Sequence, residues 1–202
     1  MDAAQLFLQD HARTHSGAVA DAEGIPIEDV LLGGLSDDQI RTRPSGMNSL
    51  AWLVWHMARC EDGAVNVMVA RRAQVIEEDG WIERLGLARE DIGTGMSDDE
   101  VDDFSAGVEI GALREYRAAV GRRTREVAHS MKPDAWEQTA KAQDIERATA
   151  AGLIGPNADW VKQFWQGKTM SWFMSWLAAG HNYLHLGEGL SVRSQAGAGL
   201  PF

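Results

Sequence analysis

Apolar residues along this chain recur mostly three and four positions apart, the spacing of one helix face, and no stretch alternates convincingly as a half-buried strand would. The pattern predicts a first helix from Asp2 to about Ala22, with Leu6, Phe7, Val19 and the alanines apolar, interrupted by Gly24-Ile25-Pro26. Leu31 to Arg43 reads as a connector around a brief helix, in which Ser36 and Gln39 have the spacing of a capping box. After Pro44-Ser45-Gly46, Asn48 or Ser49 caps a long second helix running to about Glu78. Residues 79–95 carry Gly80, Gly86, Gly93 and Gly95 and are expected to be mostly irregular. Ser97-Asp98-Asp99-Glu100 starts another helix, with acids where the helix dipole favours them. A third long helix is predicted from Val108 to Met131, with Leu113, Tyr116, Val120 and Val127 as its buried stripe and Lys132-Pro133 as its end. Residues 134–168 are ambiguous, with a helix from Ala135 to Ala151 ahead of the breakers Gly152, Gly155 and Pro156. Thr169 opens the last strong helix, to about Glu188 or Val192, and a Gly-rich tail from Ala196 to Phe202 closes the chain. Long helices with no sheet to pack on predict an all-α bundle, one domain over residues 1–202.

Rotated by ~100° per residue, the last helix has two apolar faces. Met170, Met174 and Leu177 share one with His181, His185 and Glu188, whereas Trp172, Trp176, Ala179 and Tyr183 fall opposite. A helix apolar all round must be covered all round. The long segments 79–95 and 134–168 could supply that cover, and so could a second copy of the chain, since aromatic residues are enriched in twofold interfaces.

Charge narrows the partners. Thirty acidic residues against 19 basic ones give a net charge of −11, which repels the phosphate backbone and disfavours both nucleic acid and anionic membranes. No run reaches ~18 apolar residues, so no membrane span is expected. The N-terminal stretch has acids where a signal peptide needs bases, and the expected location is cytoplasmic. Cys60 is the single cysteine, which excludes an intramolecular disulfide and a cysteine-built zinc site.

The aromatic residues then point to chemistry. Trp is the commonest of them, at eight against five Phe and two Tyr, and five of the eight lie in two stretches, Trp52/Trp55 and Trp165/Trp172/Trp176, that contain or lead into histidine. His181 and His185 sit one turn apart in apolar surroundings, where unpartnered imidazoles are costly, so a cation or a carboxylate network through Glu188 must satisfy them. His11 and His15 have the same spacing, but Asp10, Arg13 and Thr14 surround them, and they are expected to be solvent-exposed bystanders. His56 lies inside the apolar run LAWLVWHMA. It reads either as the third member of a metal set with His181 and His185 or as a core histidine bonded to a backbone carbonyl or to Asp62. Three neutral imidazoles would leave a cation's charge uncompensated and a coordination position open. Glu188 reads as a group orienting a ligating imidazole, and Glu61 and Asp62 either do the same or are solvated. Cys60, one turn beyond His56, reads as a small hydrophobe. Met170 and Met174 fill core, with Met174 and Trp52 the candidates for touching a bound ligand.

Two segments carry a family resemblance. Pro44-x-x-x-Asn48-Ser49-Leu50-x-Trp52-Leu53-x-x-His56-Met57-Ala58-x-x-Glu61 is similar to the second-helix signature of the DinB-like superfamily, and His181-Asn182-Tyr183-Leu184-His185-Leu186-Gly187-Glu188 to its last-helix signature. The intervening Glu78-Asp79-Gly80-Trp81-x-Glu83-Arg84-x-Gly86-Leu87 and Thr94-Gly95 resemble an actinobacterial branch related to mycothiol transferases. The resemblance runs from about Leu31 to Phe202 and is weakest between Pro133 and Lys168. It implies a four-helix bundle of up-down-down-up connectivity with long connecting segments, and homodimers are common among relatives, so a homodimer is the expected cover for the Trp172/Trp176 stripe. It also implies a divalent cation, zinc or nickel, on His56, His181 and His185. Relatives use such a site on low-molecular-weight thiols, in S-transfer or in maleylpyruvate isomerisation. The isomerase branch has Glu where this chain has His181, which weakens the isomerase reading and leaves S-transfer of a mycothiol- or bacillithiol-type thiol to a small electrophile, or an unknown reaction. A hydrolase activating water, with Glu188 or Asp62 handling protons, is the alternative, and a non-enzymatic metal- or ligand-binding stress protein is the third reading.

Overall fold

The computed structural model describes residues 2–200. Eleven α-helical segments occur among the described residues: α1 (Ala3–Thr14), α2 (Ile27–Leu32), α3 (Asp37–Arg41), α4 (Leu50–Asp62), α5 (Trp81–Leu85), α6 (Asp98–Gly107), α7 (Ile110–Ser130), α8 (Ala142–Ala150), α9 (Trp160–Trp165), α10 (Met170–Trp172) and α11 (His181–Gln195). Two π-helical stretches join them, Gly63–Val69 continuing α4 and Phe173–Gly180 joining α10 to α11 into one long final helix. No strand forms among the described residues, and the one isolated bridge pairs Thr139 with Thr169. The architecture is all-α, as the periodicity requires.

Side-chain caps set the helix starts. Ser36 and Ser97 close capping boxes with Gln39 and Glu100, Ser49 rather than Asn48 accepts the Trp52 amide at 3.0 Å, and Thr169 caps α10. The ends depart further from the periodicity. α1 stops at Thr14 because His15 turns into extended backbone, and the Gly17 amide is then held by Asp29. The second long helix ends near Ala70, well before Glu78, at Arg71 with its left-handed backbone (φ 54°). Within residues 134–168, α8 and α9 replace the single helix expected from Ala135 to Ala151.

Four long elements pack in a ring, α4 against α7 and the final helix, and α1 against those same two. α4 is its centre: every residue from Leu50 to Asp62 is buried, including Arg59, Glu61 and Asp62. Its apolar side chains join Leu113, Tyr116 and Val120 of α7 in the largest core cluster. Segment 134–168 covers the other end, with Ile145, Leu153, Val161 and Trp165 packed on Cys60, Met68, Phe173 and Leu177. Backbone hydrogen bonds from Ala140 to Lys168 and from Met170 to Gln138 stitch that segment to the start of the final helix.

The π stretch corrects the helical wheel. Each π insertion admits about one extra residue and turns the downstream residues by roughly 100° relative to a straight α-helix. The Trp172/Trp176 stripe is therefore not diametrically opposite the histidines. The Trp176 ring lies over Gly180, where an added Cβ would meet it at 3.1 Å, one residue before His181. Within the chain, Phe164 of α9 packs edge-on against Trp172 at 5.3 Å, while Trp160 and Phe164 themselves remain exposed.

Candidate metal centre

Three imidazoles converge where α4 faces the final helix. One ring nitrogen from each of His56, His181 and His185 lies within 4.8 Å of the others. The His56 ring centroid is 5.0 Å from that of His181 and 4.9 Å from that of His185. The partners on the far side of each ring decide what those nitrogens can do. His56 Nδ1–H donates to the Ile92 carbonyl, and His185 Nδ1–H donates to Glu188 Oε2 at 2.8 Å. Both rings are thereby fixed in the tautomer that leaves Nε2 bare. His185 Nε2 in turn stands 3.1 Å from His181 Nε2.

The surroundings hold this arrangement. Glu188 also accepts from Asn48 Nδ2 at 3.2 Å, which ties the entry of α4 to the final helix. Hydrogen bonding to His185 keeps the Glu188 carboxyl below the usual range, against its partial burial. The Ile92 carbonyl sits in a loop built for it: Asp91 accepts the Gly93 amide at 2.6 Å and pairs with Arg89, and the Ile92 amide donates to Leu153. Gly93 has φ of 76°, and an added Cβ would fall 2.4 Å from the Trp55 ring, so no other residue fits there. Trp52 covers one face of His56, stacked at 4.7 Å.

A divalent cation fits these residues. With ligand nitrogens ~2.0–2.1 Å from a tetrahedral ion, neighbouring ligands sit roughly 3.3 Å apart, close to the His181–His185 separation. Burial, with neighbouring imidazoles, pushes His56 down to about 4 and His181 to about 2, so both keep their lone pairs at neutral pH. His181 Nδ1 is buried with no partner, leaving this ring without support except through Nε2.

The other candidates fall elsewhere. Asp62 is fully buried and accepts from Arg59, Asn66, Tyr116 and the Val75 and Ile76 amides, all at 2.7–3.0 Å, so it braces α4, α7 and the following loop and has no free oxygen for proton transfer. Met174 is fully buried among Phe7, Val65 and Ala178 and offers no face to a ligand. Cys60 Sγ is 3.8 Å from both His56 nitrogens, but burial pushes its thiol up to about 12, and the protonated form is neither ligand nor nucleophile.

His11 and His15 require the largest correction: neither is exposed at all. Both donate through Nε2 to Glu61, at 2.9 Å from His11 and 3.0 Å from His15, and the same carboxylate accepts from Arg117 at 2.8 Å and Asn182 at 2.9 Å. Gly121 makes room for His15, since a Cβ there would come within 2.6 Å of its Nδ1. Burial raises the cost of the Glu61 charge, but His15, Arg117 and His11 together hold its carboxyl well below the usual range. Burial, assisted by Arg117, lowers His15 to about 3, so it is a neutral donor. These three residues also bring ligand-type atoms within 4.8 Å of one another. Arg117 already supplies positive charge there and both Nε2–H groups are in use, although the Nδ1 atoms of His11 and His15 are buried without partners. Sequence reasoning missed it because the groups that bury these histidines lie on other helices.

Acid sensitivity is a direct consequence. His15, His56 and His181 are held below their ordinary value near 6.5, so the unfolded chain binds more protons below that pH. These groups leave stability unaffected above about pH 6.5 and penalise the folded state progressively as pH falls toward 3, at up to about 1.4 kcal/mol per pH unit for each group. Thermal melts of the metal-free protein should show Tm falling steeply below about pH 6; a flat Tm from pH 7 to pH 5 would contradict the burial described.

Comparison with known proteins agrees with this architecture. The family model of the DinB superfamily matches residues 29–188, a span that contains all three converging histidines. The crystal structure of a conserved protein from Enterococcus faecalis superposes with a TM-score of 0.68, covering 97% of this chain and 98% of that chain at 18% identity, which is a likeness of fold. No curated protein matches the chain. No helix among the described residues is long and apolar enough to cross a membrane. The chain belongs to the DinB superfamily.

Proposed function

We propose that the protein is a divalent-metal-dependent enzyme that joins a low-molecular-weight thiol to a small electrophile, with His56, His181 and His185 as its metal ligands. The observation that carries this reading is the convergence of three neutral imidazoles, two of them locked with Nε2 bare. A divalent ion held by neutral ligands alone retains its full charge and supplies Lewis-acid stabilisation of an incoming thiolate near neutral pH.

The chain's own groups do the rest. The Ile92 carbonyl and Glu188 hold the protons at Nδ1 of His56 and His185 and keep the rings aimed. Trp52 shields one face of His56 from water. Glu188 is engaged by His185 and Asn48, which favours a positioning role over proton transfer. Cys60 is closed and protonated, so the sulfur nucleophile must arrive with the co-substrate. The co-substrate's S–H proton passes to solvent, and sulfur bonds to the electrophilic carbon as that carbon's bond to a leaving group breaks, the leaving group departing as an anion with the bonding pair. The half-buried indole of Trp176, which lies over Gly180 one residue before His181, suits an apolar portion of the electrophile.

The test is turnover by zinc- or nickel-loaded protein with mycothiol, bacillithiol or glutathione and a panel of electrophiles. Turnover only when thiol is present is the expected result. Turnover without thiol would replace this reading with hydrolysis, and saturable binding without turnover would replace it with a binding protein.

A further inference from the structure

Among the described residues neither the Glu61 carboxylate nor the Asn182 amide hydrogen-bonds to the side chains of the three converging histidines, yet each shares a helix with them at short range. Glu61 lies five residues beyond His56 on α4, and Asn182 directly follows His181 on α11. The Asn182 Nδ2 group donates both to Glu61 Oε2 at 2.9 Å and to the Ala178 carbonyl at 3.1 Å, inside the π stretch that turns His181 into place. The Glu61 carboxylate is bonded at the same point to α1 through His11 and His15 and to α7 through Arg117, which itself is held by Glu28. All four long elements thus meet at one fully buried anion.

We infer that the Glu61–Asn182 contact is a positioning element that sets the separation of His56 from the His181/His185 pair, and with it the affinity and geometry of the metal site. The inference rests on the metal reading above. Apolar packing, such as Gly189 against Leu50, is not directional, and the Asn48–Glu188 bond ties only the entry of α4, so without a second directional contact beyond His56 the final helix could rotate against the rest of α4. Hydrogen bonds to a carboxylate that cannot turn to water are directional, and they fix register where ligand distances tolerate little error. Asn182 Oδ1 is left buried without a partner, so this amide is placed for its donor side and not for general satisfaction of its polar atoms. The neighbouring Asp62 cluster provides an internal comparison. Its donors come from α4, its π extension, the loop at 75–76 and α7, and none from the final helix.

The experiment measures zinc affinity by chelator competition, and the visible spectrum of the cobalt-substituted protein, for the full chain and for Asn182→Ala, Asn182→Ser and Tyr116→Phe. Serine at 182 can still bond back to the Ala178 carbonyl but is too short to reach Glu61, which separates the two contacts and guards against a fold lost in the alanine variant. Both Asn182 variants are expected to bind zinc about 10–100-fold more weakly, with shifted cobalt bands. Tyr116→Phe should lower Tm while leaving affinity and spectrum unchanged. Asn182 variants with unaltered affinity and bands would overturn the inference, as would an equal loss in Tyr116→Phe, which would make the effect one of general stability. Failure of the unmodified protein to bind zinc or cobalt would instead remove the metal reading itself, and that arm is read before any variant.

Discussion

Replacing His181 with alanine is expected to abolish divalent-metal binding while leaving the metal-free protein at least as stable as before. The two halves of this result have separate causes. Without a cation, His181 contributes little to the fold: its Nδ1 is buried without a partner, its Nε2 faces another imidazole, and burial holds it neutral at a pKa of about 2. Removing such a ring from a half-buried helical position relieves an unsatisfied polar group and introduces a better helix former. With a cation, the same ring is one of three ligands. A bound ion at ~1,000 times its Kd stabilises the folded state by about 4 kcal/mol. In a domain of this size that is a rise in Tm of roughly 8–16 °C. Differential scanning calorimetry with and without zinc should show this rise in the parent protein and none in His181→Ala. An unchanged zinc-induced shift in the variant would place the ion elsewhere.

Glu61→Ala should be the most damaging single substitution for the fold, lowering stability by about 3–5 kcal/mol, the cost typical of removing one partner from a buried ion pair. The change strands the Arg117 guanidinium, which is fully buried, with only Glu28 as a carboxylate partner. Burial raises the Glu28 pKa, which makes it a poor substitute anion. The change also strips acceptors from His11, His15 and Asn182, each of which loses a bond no water can replace. The corresponding fall in Tm is roughly 6–20 °C. Urea titration of Glu61→Ala beside Glu61→Gln checks the attribution, because the amide keeps the volume and part of the bonding and should lose less. A loss under about 1 kcal/mol in the alanine variant would mean that the carboxylate is not the anchor of the four helices.

What the sequence made legible depended on how local each signal was. Ser36, Ser49, Ser97 and Thr169 act within a turn of where they stand, and all four cap the helices they precede. The 21-residue α7 matches its apolar stripe closely, since Leu113, Tyr116, Val120 and Val127 are all buried. His181 and His185 declared themselves because imidazoles in apolar surroundings need partners. His11 and His15 did not, because their neighbours in sequence are polar while the groups that enclose them lie far along the chain: Glu61 on α4, Arg117 on α7 and Asn182 on α11. The π stretches were equally hidden. The apolar pattern of Phe173–Gly180 reads as ordinary α-helix, yet the residue added by the π insertion moves the tryptophan stripe toward the histidines. The Ile92 carbonyl, which fixes the His56 tautomer, is a backbone atom in a glycine-rich loop, and side-chain patterns carry no trace of it.

Metal content tests the central claim most directly. The full chain, incubated with excess zinc or nickel and freed of unbound ion by gel filtration, is analysed by elemental mass spectrometry beside a variant with alanine at His56, His181 and His185. The account predicts about one ion per chain in the first and almost none in the second. A folded parent protein that retains no ion, or a triple variant that retains as much as the parent, would contradict it.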